Sequence, residues 1–151
     1  MKCLSVSQPY ADLIVQGKKT IELRTWNTTY RGEFLVHAPL KVREDACIRM
    51  GINASELRTG VIVGRAEIYG VKVYKSKKEI QTDYDKHCAE NGFFDNRYGF
   101  LLKNPRELRI PIPCKGRLGF FEVKLAKTTS SNKIKTELFV EEHRYQWIGK
   151  H

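Results

Sequence analysis

Within GKKTIELRTWNTTYRG (residues 17–32), Lys19, Glu22 and Arg24 are the residues best placed to do chemistry. A strand of period two puts Glu22 and Arg24 on one side, and Lys19 enters from the loop before it. A carboxylate held between two cations stays ionised and orients both. It can accept a hydrogen bond from a base amino group while the cations hold phosphate or carbonyl oxygens. The same spacing also fits a salt-bridged pair on an exposed sheet, where such pairs contribute little.

Other candidates are spread along the chain. Tyr10 and Trp26 are aromatics near the charged set, suited either to stacking on a base or to core packing. His37 ends an apolar strand, as a general base or as a hydrogen-bonded structural histidine. Lys103, Arg106, Arg109, Lys115 and Arg117 form one basic run, and Lys72, Lys75, Lys77 and Lys78 another. Each is either a phosphate track or a solvated face.

These side chains need a scaffold, and the apolar periodicity supplies one. Residues 3–7, 20–25 and 32–38 alternate as strands, and 59–74 is a long β-rich run. Gly60, Gly64 and Gly70 in that run suggest bends that let a sheet curl. Pro9 precedes Tyr10, Leu13 and Ile14 at helical spacing, and Gly17 closes that helix. A second helix is expected over 41–50. A third begins at Ser76, with Glu79 as its capping-box partner, and runs to about Gly92. Three strands follow, in RYGFLLKN, LRIPIP and GFFEVKLA; Pro111 and Pro113 confine the middle one to an edge or an irregular stretch. The expected fold is α+β, one domain over 1–127 around a curved, barrel-like sheet flanked by short helices. Residues 128–151 form a C-terminal extension in which Phe139, Tyr145 and Trp147 either pack back or meet a partner.

The 151 residues carry a formal net charge of +10, which favours polyanionic partners, RNA or single-stranded nucleic acid first. No apolar run approaches the roughly 18–20 residues that span a bilayer. The N-terminus lacks the pattern of a signal peptide, so a cytoplasmic location is expected, with the nucleus also open. Cys3, Cys47, Cys88 and Cys114 are scattered without zinc-ligand spacing, so free thiols and no metal are expected. No cofactor is expected either.

LSVSQPYADLIVQGKKTIELRTWNTTYRGEFLVHA resembles the signature of the ASCH (activating signal cointegrator homology) family, in the PUA-like superfamily. The matching positions are Gln8-Pro9-Tyr10; Gly17, Lys19, Glu22 and Arg24; Trp26, Thr28, Arg31 and Gly32; and His37-Ala38. GFLLKNPRELRIPIPCKG (99–116) extends the likeness, which covers residues 3–125. The resemblance implies a mixed PUA-like β-barrel with a cleft beside it that recognises RNA or a modified nucleoside. Lys19, Glu22 and Arg24 would form its core, with Tyr10, Trp26 and Arg31 in support. Some members are hydrolases. In an amidohydrolase branch acting on N4-acetylcytidine, Lys19-Thr20-Ile21 matches the start of the catalytic run, but Glu22 stands where the family has a catalytic threonine. In a ribonuclease-like branch, His37 would be the base and Lys19 or Arg24 would stabilise the phosphorane.

Overall fold

The alternation of apolar residues builds one mixed, curled sheet of six strands. The computed structural model describes residues 1–90 and 97–125, and the backbone of 126, 127 and 145–147. The strands are β1 (Lys2–Ser5), β2 (Ile21–Arg24), β3 (Gly32–Ala38), β4 (Val61–Val73), β5 (Tyr98–Pro113) and β6 (Phe120–Glu122), in the order β2-β5-β4-β3-β1-β6. Within this sheet β1 and β3 run parallel, and the other neighbours pair antiparallel. A separate ribbon pairs β7 (Leu125–Lys127) with β8 (Tyr145–Trp147), so this part of the extension returns to the chain. Phe139 and the rest of 128–151 lie outside the described residues.

Period two assigns the two faces. Leu4, Phe34, Val36, Ala66, Ile68 and Phe100 meet Tyr10, Ala11, Ile14 and Val15 of α1 (Tyr10–Val15) in the main core. Cys3, Leu35, Ile62, Leu108, Ile112 and Phe121 form a second core on the opposite face. Gly64 permits the first packing. A Cβ there would lie 2.1 Å from the Arg106 carbonyl oxygen and 2.8 Å from Val15 Cγ1, so α1 approaches the sheet over bare backbone. Register shifts fall at Ile62/Gly64, Arg65/Glu67 and Ile68/Gly70, where the glycines Gly64 and Gly70 lead the sequence to expect bends. The edge strands β2 and β6 are not hydrogen-bonded to one another, so the barrel is half closed. Trp26, just beyond β2, packs edge-on against Phe100 at 5.3 Å and against Phe120 of β6 at 5.7 Å. Rings join the edges where a closed barrel would have a hydrogen-bond ladder.

Two expectations change. RYGFLLKN and LRIPIP form one strand, β5, because Asn104 adopts a left-handed conformation (φ 52°) and the extra residue is absorbed as a bulge. The prolines are accommodated because β2 pairs only with Tyr98–Leu101, leaving the half that holds Pro111 and Pro113 beyond its reach. The helix from Ser76 also stops early. Ser76 does cap it, accepting from the Glu79 amide at 3.2 Å. It breaks into α3 (Lys77–Thr82) and α4 (Tyr84–His87) at Asp83, and Cys88 ends it in a left-handed turn (φ 60°). The buried Asp83 carboxylate accepts from Tyr74 Oη at 2.5 Å and Lys72 Nζ at 2.7 Å, contacts available only if the chain turns there. Gly92 lies outside the described residues. The 41–50 helix forms as α2 (Glu44–Met50).

Candidate functional site

The loop from α1 to β2 carries Lys19 inward. Gly17 (φ +80°) ends α1, and the amides of Lys18 and Lys19 both donate to the Leu13 carbonyl, folding the loop over the helix end. Lys19 is 2% exposed and Glu22 7% exposed, and Arg24 is half-buried, so the charged set is largely interior rather than solvated. Lys19 Nζ lies 3.4 Å from Glu22 Oε1 and donates to the His87 carbonyl. Arg24 Nε donates to Glu22 Oε2 at 2.8 Å, and its Nη2 donates to the Ser5 carbonyl at 2.6 Å. Glu22 thus uses both oxygens to fix two cations. Burial pushes the Lys19 ammonium below the ordinary lysine range, and the adjacent Glu22 carboxylate works against that shift.

Above this triad opens a cleft of about 480 Å³, lined also by Tyr10, Arg43, Asp45 and Glu90. Lys19 Nζ sits 5.0 Å from the Tyr10 ring centroid, a cation–π contact that sets the cleft wall. Tyr10 Oη accepts from Arg49 Nη2 at 3.2 Å, and Arg49 also donates to the Cys88 carbonyl at 2.7 Å. The lining is charge-balanced rather than basic, with Lys19, Arg24 and Arg43 set against Glu22, Asp45 and Glu90. This corrects the expectation of a basic cleft. Each of these cations stands beside a carboxylate or a main-chain oxygen, so the cleft offers a pattern of donors and acceptors.

The structure brings Lys19, Glu22, Arg24 and Tyr10 together and separates the other candidates from them. Trp26 packs in the ring cluster between the sheet edges, and Arg31 donates to the Thr28 and Tyr30 carbonyls in its own turn. Lys103 pairs with Glu67 at 3.7 Å; Arg106 lies with Arg65 and Glu67 around a surface depression; Arg109 is exposed. Lys115 and Arg117 border a different cavity, together with His37. His37 is 1% exposed and faces away from the Lys19 cleft. Burial lowers its pKa, and a hydrogen bond to the Cys114 carbonyl opposes that shift. Arg43, Asp45 and Glu90 reach the cleft from distant segments, and Arg49 and the His87 carbonyl hold Tyr10 and Lys19 from behind; no spacing announces any of them. Among the described residues no cluster of His, Cys, Asp and Glu is arranged to hold a metal ion. Among the same residues, no helix is long and apolar enough to cross a membrane.

The family model for the ASCH domain matches residues 4–143. Human activating signal cointegrator 1 is 29% identical over 126 residues, which is 76% of this chain and 21% of that protein. The mouse protein of the same name is 28% identical over the same shares. The chain therefore spans about a fifth of the length of these relatives. Among solved structures, ASCH from Zymomonas mobilis superimposes with a TM-score of 0.53 at 16% identity, covering 99% of this chain and 87% of that one. A tyrosine-to-phenylalanine mutant of the same bacterial protein gives 0.52 at 18% identity, over 74% and 73%. At such identities the likeness establishes the fold.

Proposed function

This chain belongs to the ASCH domain family, and on that premise we propose that it binds RNA or single-stranded nucleic acid by taking a base into the Lys19–Glu22–Arg24 cleft. Residues 1–127 would be the binding unit. The observation that carries the reading is the largely buried triad, in which one carboxylate positions two cations at the floor of an open cleft. Preorganised donors and acceptors of both signs suit a base edge, with amino groups and carbonyls side by side, better than a bare phosphate. Tyr10 supplies an aromatic wall to the same space. The net charge of +10 then acts outside the cleft, drawing the phosphate backbone to the surface while the cleft reads the base.

The test is Glu22→Gln, measured by fluorescence anisotropy on single-stranded RNA and DNA. On a merely basic surface the change adds positive charge and tightens binding. In the triad it loses a charged acceptor and frees two cations, so affinity falls about ten- to hundredfold, or roughly 1.5–3 kcal/mol. Unchanged or tighter binding by a folded variant would sink the proposal. A second reading follows from the buried Lys19 beside a carboxylate, an arrangement suited to acid–base work. Release of acetate from N4-acetylcytidine, abolished by Lys19→Ala, would replace binding with hydrolysis. With Glu22 where the amidohydrolases have threonine, none is expected.

A further inference from the structure

On the opposite face of the sheet a serine and a histidine are arranged as a nucleophile and its base. Ser5 and His37 are register partners on the parallel strands β1 and β3, so both side chains share the face that carries Cys3 and Leu35. His37 Nε2 lies 2.7 Å from the Cys114 carbonyl oxygen, which can only accept, so this nitrogen carries the proton. Nδ1 is then a lone-pair acceptor, and it sits 2.8 Å from Ser5 Oγ. The serine hydroxyl therefore donates to a neutral imidazole whose far side is fixed by a main-chain carbonyl. This is the ordering of nucleophile, base and orienting acceptor that activates a hydroxyl.

The pair opens onto a cavity of about 820 Å³; Ser5 also borders the triad cleft, whereas His37 lines this cavity and not the cleft. Its walls include Pro39, Leu40, Pro113 and Leu118, with Lys115 and Arg117 among the lining residues. Leu40 is 79% exposed and Leu118 98% exposed, so apolar surface stands open beside the pair. Gly116 lies directly over it. A Cβ at that position would come within 2.6 Å of both Ser5 Oγ and His37 Cε1, so the bare glycine backbone packs on the pair and the hydroxyl is reached from the groove beside it.

We propose that Ser5, activated by His37, is an acyl-accepting nucleophile for carboxylic esters whose short apolar acyl group lies in this groove. Ser5 Oγ attacks the ester carbonyl carbon, and His37 Nδ1 takes the hydroxyl proton. As the tetrahedral intermediate collapses, the bond to the alcohol oxygen breaks and Nδ1 returns that proton to the leaving alcohol. Water then attacks the acyl-serine by the same route, releasing the carboxylic acid and restoring Ser5. The proposal is independent of nucleic-acid binding at the triad and stands or falls without it.

The test exposes the full chain to a fluorophosphonate probe and to p-nitrophenyl butyrate. The expected result is one covalent adduct per chain, located on the peptide containing Ser5, with release of p-nitrophenol. Ser5→Ala should abolish the adduct. His37→Gln should slow it at least about a hundredfold, the lower end of what a general base contributes. Gly116→Ala, whose methyl collides with Ser5 Oγ and the His37 ring, should block it as well, and thermal melts confirm that each variant is folded. Peptide mapping of the unaltered protein decides the matter even if a variant does not fold. Absence of an adduct at Ser5, or labelling that persists undiminished in folded His37→Gln, overturns the proposal.

Discussion

His37 and His87 are both nearly free of solvent contact, and burial is the main cause lowering the pKa of each. Their hydrogen bonds fix the same neutral form. Nε2–H of His87 donates to the Ile80 carbonyl at 2.7 Å while its Nδ1 accepts from the Ala89 amide at 3.0 Å. Protonating Nδ1 of His87 would set one donor against another. For a group whose folded pKa is depressed, the stabilisation is complete above the unfolded value, here 6.5, and is lost as pH falls through the folded value. The unfolding free energy from denaturant melts should therefore fall on acidification below about pH 6.5, by up to roughly 1.4 kcal/mol per pH unit for each histidine. A flat profile between about pH 7 and 5 would contradict two buried neutral imidazoles. The slope lost in His87→Gln measures the share of that residue.

At the scale of elements, the joint between α3 and α4 reaches the cleft through one carbonyl. Asp83 holds the joint, and α4 ends at His87, whose carbonyl accepts from Lys19. Burial raises the Asp83 pKa, and the hydrogen bonds from Lys72 and Tyr74 outweigh it, so the carboxyl is held below its ordinary value. Asp83→Ala leaves the buried Tyr74 hydroxyl without its acceptor and should destabilise the fold by about 1–3 kcal/mol. It should also weaken nucleic-acid binding by the folded fraction, since Lys19 loses part of its support. Lost stability with unaltered binding would show that the joint does not reach the cleft. This joint is also where the sequence misleads. Period and cap residues place β1, α1, β2 and β3 closely, and they put Glu22 and Arg24 side by side. They carry no sign that Asp83 is buried, because its partner Tyr74 is chosen by the fold. The bulge at Asn104 is hidden for the same reason: Pro105 reads locally as a break, and only pairing with β4 carries the strand through it. Arg43 and Glu90 reach the cleft from segments far from β2, and no local period records such a meeting.

Across the whole molecule, the half-closed barrel depends on the contact between Trp26 and Phe120, at the two free edges of the sheet. Phe34 meets Phe120 edge-on and Phe100 stacks on it, with ring centroids 6.0 and 6.3 Å from that of Phe120. Trp26→Ala should cost about 2–3 kcal/mol, below the range for a fully buried tryptophan because Trp26 is only half-buried. Thermal or denaturant melts would measure it, and a loss under about 0.5 kcal/mol, typical of plain surface positions, would show that the rings do not hold the edges together. A seam made of rings has a further consequence for how the protein breathes. Aromatic contacts shield no amide from solvent, whereas each rung of a ladder does. The outward amides of β2 and β6 should therefore exchange deuterium well ahead of those in β3 and β4, which are hydrogen-bonded on both sides. The molecule would open along its length like a cuff unfastened at the wrist, with Glu22 and Arg24 on the flap that lifts.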